Sequence, residues 1–233
     1  MFLWVLGLGL ELLLIHQLLR GAFRRFPLIF AYVVTLFLTT VVEIAGQTAA
    51  RHGARELARR VRLYYWINDG ILQALIFGVV IALIYRALPP GVRSAGAKRL
   101  AVLAGVLTFV LSFLVHHGPR IELNQWMTLV SRDLSFAAAI LDLILWTILV
   151  VTRRHDRELL ALSGALGVQF AGSAVGQSLR TLAMVALGRN RTVSLIGSLL
   201  VVISHLMCLY IWFQTFRSGA HKNSGSRGAQ DPL

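Results

Sequence analysis

The chain alternates long apolar runs with short polar or basic breaks. A membrane-spanning helix needs about 20 mostly apolar residues, and the pattern predicts seven such helices. They cover 2–19, 27–48, 64–86, 98–116, 134–151, 158–186 and 192–216. Pro27 suits a first helical turn, where its missing N–H costs nothing. Pro89-Pro90-Gly91 stops the third helix and Gly118-Pro119 the fourth. Tyr64, Tyr65 and Trp66 form an aromatic belt where the third helix enters the membrane. Glu11 interrupts the first run, no basic region precedes it and no small-residue cleavage site follows it, so 2–19 reads as a retained helix. The expected fold is therefore all-α, a polytopic bundle of seven transmembrane helices over 1–217. A polar, glycine- and serine-rich tail at 218–233 is expected to be disordered.

Residues 51–62, RHGARELARRVR, follow a different rule. Arg51, Arg55, Arg59 and Arg62 share one helical face, and Ala54, Leu57, Ala58 and Val61 another. The pattern fits a short helix on the membrane surface, and fits a solvated basic loop equally well.

Composition agrees with the pattern. Hydrophobic residues make up 57% of the 233 and charged residues 14%, whereas a soluble domain carries about 25% charged residues. These numbers argue against a soluble globular enzyme, and they exclude disorder for most of the chain. One cysteine, Cys208, excludes a disulfide framework and a cysteine-cluster metal site. The net charge of +13 comes from 23 Lys and Arg against 10 Asp and Glu. In so apolar a chain this points to basic loops flanking membrane helices rather than to nucleic acid. The loops 20–26, 86–99 and 152–158, with the tail, hold more of the positive charge than the opposite loops. Positive-inside logic then sets the N-terminus outside and the C-terminus in the cytoplasm.

Ionisable residues inside the runs need a reason, since each costs roughly 2.5–3.5 kcal/mol at the centre of a helix on insertion scales. Thr35, Thr39, Glu43 and Gln47 recur every four residues and form one stripe. Asp69 and Gln73 lie one turn apart. Gln169, Ser173, Gln177 and Arg180 form another stripe, and Ser194, Ser198 and His205 share a related face. Asp142 and Glu11 sit near the middle of their helices. With alternating helix directions, Glu43, Gln47, Asp69, Gln73, His116, His117, Gln177, Arg180 and Ser198 fall in one half of the membrane. Glu11, Asp142, Gln169 and His205 fall near its centre, and the other half is almost wholly apolar. The expected site is thus a one-sided polar funnel lined by Glu43, Gln47, Asp69, Gln73, Asp142, Gln169, Gln177, Arg180 and His205, with Glu11 as a mid-membrane acid. The bland counterpart is a set of hydrogen bonds and ion pairs between helices, such as Arg180 with Asp69 or Glu43. Gly172 and Gly176 form a small-xxx-small pair that admits a second helix closely, from this chain or from another copy.

Retinal chemistry is excluded, because the last helix carries no lysine for a Schiff base. No metal and no cofactor is expected: His205 stands alone on its helix, and adjacent His116 and His117 point apart. The segments FRRFPLIFAY (23–32), YYWINDG (64–70), RDLSFAAAILDLILW (132–146) and HLMCLYIWFQTFR (205–217) resemble a group of bacterial seven-helix membrane proteins of similar length. That resemblance implies an inner-membrane location and carries no assigned reaction or site residues.

The leading expectation is a non-enzymatic, sensor-like or scaffold protein. It would bind a small ligand or a protein partner through the funnel, with the lipid bilayer as its surroundings and the basic loops as a surface for a protein partner. Nucleic acid is not expected as a partner. A second expectation is a small intramembrane enzyme acting on lipid, metal-dependent or not, with Asp69, Asp142, Glu43 and His205 as acid–base groups or ligands. A third is ion or proton conduction through Glu11 and Asp142.

Overall fold

The computed structural model describes residues 2–51, 55–88, 95–115, 123–151, 156–185 and 190–227. Every regular element among them is helical. In chain order they are α1 (Phe2–Gln17), a π-helical turn (Leu18–Ala22), α2 (Phe23–Arg25), α3 (Pro27–Arg51), α4 (Arg55–Ala87), α5 (Ala95–Val115), α6 (Leu123–Val151), α7 (Arg157–Val185) and α8 (Arg191–Arg227).

Among the described residues, six segments are long and apolar enough to cross a membrane, which marks an integral membrane protein. They are Val5–Arg25, Pro27–Gly46, Ile67–Ala87, Leu129–Val151, Arg157–Val185 and Arg191–Ser218. Seven spans were expected. The missing one, 98–116, falls on α5, which is helical over Ala95–Val115 but has many side chains outside the described residues. A second difference concerns 51–62. The backbone is helical without a break from Arg55 to Ala87, so most of the basic segment continues the helix that holds the third span. The stop signals Pro89-Pro90-Gly91 and Gly118-Pro119 lie outside the described residues. The last helix runs past its expected end at 216 to Arg227, so its final turns carry the polar segment, and 228–233 lie outside the described residues.

Helix ends follow local chemistry. Asp156 Oδ1 accepts the amides of Glu158 (3.1 Å) and Leu159 (3.3 Å), which caps α7. Asn190 Oδ1 does the same for Thr192 (3.0 Å) and Val193 (3.2 Å) at α8. Along the helices, hydroxyls turn back onto their own backbone: Thr35 donates to Ala31 O, Ser178 to Ala174 O and Ser198 to Ser194 O. That i−4 bond lets a Ser or Thr satisfy itself where water is absent.

The chain divides into two compact units, Met1–Ile76 with Phe213–Leu233, and Phe77–Trp212. In the first, α1 packs against α3; Leu14 on α1, Ile29 and Val33 on α3, and Leu18 and Phe26 in the connection between them are all buried. Between them the backbone turns at Gly21, whose φ of 130° is open to glycine and strained for any L side chain. A Cβ there meets nothing within 4 Å, so the strain is purely conformational. Gly21→Ala is expected to lower stability by about 1–3 kcal/mol, readable as a drop in the unfolding midpoint of the detergent-purified chain. An unchanged midpoint would refute the turn.

In the second unit α6 and α7 run antiparallel. Ser135 faces Ser173 across 3.1 Å, and further along Asp142 faces Ser163. The helices α7 and α8 are also antiparallel, because Gly176 meets Gly197 while Trp212 Nε1 donates to Leu162 O at 3.2 Å. The Gly172–Gly176 pair therefore finds its partner inside the chain. A Cβ on Gly176 would lie 2.6 Å from the Gly197 carbonyl oxygen, and one on Gly172 would collide with Ser204.

Candidate functional site

Burial runs opposite to that of a soluble protein. On α1 Glu11 is 3% exposed, while its neighbours Leu12 and Leu13 are 53% and 50% exposed. On α6 Asp142 is 3% exposed, while Leu143 and Ile144 are 67% and 46% exposed. Water would reward the reverse. Lipid tails make an outward leucine cheap and an outward carboxylate costly, so the carboxylates turn inward.

In the first unit Glu11 Oε1 accepts a hydrogen bond from Thr40 Oγ1 on α3 at 3.2 Å. That hydroxyl also lies 3.1 Å from Leu36 O, and it has one proton to share between the two. Glu11 Oε2 is buried and has no hydrogen-bond partner among the described residues. One residue earlier on α3, Thr39 donates to Thr35 O at 2.7 Å and accepts from Asn68 Nδ2 on α4 at 2.6 Å. The polar residues of three helices thus meet in adjacent turns. Glu43 is half-buried and close enough to interact electrostatically with both Glu11 and Asp69. Asp69 and Gln73 are half-buried one turn apart on α4. Gln47 belongs to α3, but its side chain lies outside the described residues.

In the second unit Asp142 Oδ1 accepts from Ser163 Oγ at 2.8 Å. A Cβ on Gly167 would stand 2.9 Å from Asp142 Oδ2, so the glycine makes room for the carboxylate. Cys208 on α8 is buried and also within electrostatic reach of Asp142. One turn earlier, His205 keeps Nε2 buried without a hydrogen-bond partner among the described residues. Gln169 is half-buried on α7. Gln177, buried, accepts from Arg180 Nη1 at 3.1 Å. Those two lie 10 or more residues beyond Gly167 along the helix, about 15 Å away at 1.5 Å per residue.

Glu11, Glu43 and Asp69 associate in the first unit. In the second, Asp142 stands with Ser163 and Cys208, apart from the hydrogen-bonded pair Gln177 and Arg180, of which Arg180 stands against Gly197. His116 and His117 lie outside the described residues. Among the described residues, no three His, Cys, Asp or Glu are placed to hold a metal ion.

Two partners were not anticipated. Thr40 lies one residue off the stripe of Thr35, Thr39 and Glu43, so periodicity alone passes it over. Ser163 belongs to none of the polar stripes, so periodicity passes it over as well. The available signal was its setting: Ser163, Gly164 and Gly167 give α7 a small-residue face that a buried Asp142 can approach. Removing that donor by Ser163→Ala leaves Asp142 short of a partner. A loss of about 1–3 kcal/mol in unfolding free energy is expected, and much of it should vanish in an Asp142→Leu background, where no carboxylate needs the hydroxyl. Full additivity of the two changes would show that the bond does not couple them.

Comparison of the chain with protein-family models, with curated proteins and with solved structures finds no match.

Proposed function

We propose that this chain is a seven-helix protein of a bacterial inner membrane, with its N-terminus outside and its C-terminus in the cytoplasm. It works without catalysis, as a sensor-like or scaffold protein, and binds a small ligand through its buried carboxylates and the polar side chains around them. The seventh span is α5, whose 21 helical residues include LAVLAGVLTFVLSFLV without a charge. The observation that carries the reading is Glu11: a carboxylate turned inward from an apolar helix, with one oxygen sharing the Thr40 hydroxyl proton with Leu36 O and the other without a hydrogen-bond partner among the described residues. A group kept only as glue between helices gains more when both of its oxygens are satisfied. A half-satisfied one suits a position that a ligand completes.

The test is native mass spectrometry with elemental analysis of the full chain, purified gently from its membrane, beside the Glu11→Gln/Asp142→Asn variant. A small molecule or ion retained by the parent and absent from the variant supports the reading. Bare protein in both preparations, with the variant less stable, removes it and leaves the carboxylates as structural groups.

The Ser163–Asp142 hydrogen bond favours a second reading, an intramembrane hydrolase of lipid, because a carboxylate accepting a serine proton resembles a base beside its nucleophile. It requires that Ser163→Ala abolish turnover of a lipid ester in vesicles while the chain stays folded.

A further inference from the structure

The chain leaves its first span through the π-helical turn at Leu18–Ala22, makes one turn of α2, and enters the second span at Pro27. This junction places Arg20, Arg24 and Arg25 within six residues, all exposed. Phe26 packs edge-on against Phe216 of α8, with ring centroids 5.7 Å apart. Arg25 precedes one ring and Arg217 follows the other, so the contact brings exposed Arg217 to the same end of the first unit. Arg24 lies over the Phe23 ring at 5.8 Å and Arg25 over the Phe26 ring at 5.9 Å, which keeps both guanidinium groups at the aromatic rim.

Depth identifies the ligand. These arginines end the span Val5–Arg25, border the span Pro27–Gly46 and lie near the end of the span Arg191–Ser218. In a bilayer crossed by these segments, such an end would meet the lipid phosphates. Leu19 and Leu28, beside them, are exposed and apolar. Guanidinium groups grip phosphate oxygens in pairs, while the leucines offer a surface to acyl chains. We propose that Arg20, Arg24, Arg25 and Arg217 form a headgroup site for an anionic phospholipid, seated where the first two spans and the end of α8 meet. A soluble phosphate would gain nothing from the leucines, and an acidic protein surface would not reach the hydrocarbon edge.

The experiment titrates phosphatidylglycerol, and separately phosphatidylcholine, into the full chain in mild detergent, with bound lipid read by native mass spectrometry. The parent is compared with Arg25→Gln/Arg217→Gln and with Arg157→Gln/Arg191→Gln, which removes equal charge from exposed arginines elsewhere. The parent should retain phosphatidylglycerol well above phosphatidylcholine. The site variant should hold it about 30-fold more weakly, and the control variant should match the parent. Should the double variant fail to fold, Arg24→Gln alone should weaken binding about fivefold. Excess inorganic phosphate or a glutamate-rich peptide should leave the lipid in place. Equal retention of both lipids, an equal loss in the control variant, or displacement by the phosphate or the peptide would overturn the proposal.

Discussion

Gly176→Val should disrupt the packing of α7 against α8 and cost about 1–3 kcal/mol. The reason is the identity of the neighbours. The first atom of any side chain at Gly176 would stand 2.6 Å from the Gly197 carbonyl oxygen and 2.6 Å from Val201 Cγ2. A flexible side-chain end can swing away, but a backbone carbonyl inside a helix moves only with the helix. Membrane helices gain little from hydrophobic association, since lipid tails are as apolar as leucine, and depend on close packing instead. Loss of that approach should therefore be felt directly. Gly9→Val is the control, because a Cβ on Gly9 meets nothing within 4 Å. Unfolding of both variants in detergent separates the cases. A large drop for Gly176→Val beside a small one for Gly9→Val is expected, and equal drops would contradict the crossing.

Glu11→Leu should act in the opposite sense. It removes a buried carboxylate, one oxygen of which has no hydrogen-bond partner among the described residues, and replaces it with a residue that favours hydrocarbon. On insertion scales the exchange is worth about 3 kcal/mol at the centre of a helix. Relief of an unsatisfied buried group adds to folding stability on the order of 1–3 kcal/mol. Thr40 loses its acceptor, but its hydroxyl retains Leu36 O at 3.1 Å, so little is left stranded on α3. The variant should insert more readily and unfold later than the parent while losing whatever Glu11 binds. Such an exchange of function for stability is common where a site is strained. A variant that unfolds earlier would show that the carboxylate holds α1 to α3 and serves no ligand.

The helical class and the placement of six spans are legible in the sequence because hydrocarbon thickness sets a length of apolar chain that few other structures need. The partners of the polar residues are less legible. Periodicity shows which residues share a face of one helix, yet a contact such as Asp142 with Ser163 depends on the stagger between two helices. That stagger is set by packing: Gly164 and Gly167 admit α6, and the Ser135–Ser173 contact sits further along the same pair. The continuity of α4 was hidden for another reason. Residues 51–62 change composition sharply at the aromatic trio 64–66, and a change in solvent looks like a change in element. A helix that passes from an aqueous to an apolar setting keeps its backbone hydrogen bonds through both. Within the second unit, depth alone also says little about grouping, because Gln177 and Arg180 lie about 15 Å or more along α7 from Gly167, which Asp142 meets.

The most direct measurement probes what surrounds the residues beside the buried carboxylates. Leu13→Cys and Leu143→Cys, each in a Cys208→Ser background, can carry a nitroxide spin label in reconstituted bilayers. Collision with oxygen, which concentrates in hydrocarbon, is compared with collision with a water-soluble nickel chelate. Both labels should collide with oxygen far more than with nickel, placing lipid against Leu13 and Leu143 while Glu11 and Asp142 face inward. Dominant nickel collision at either position would put water where lipid belongs, and would contradict an inward-facing carboxylate in a membrane-embedded bundle.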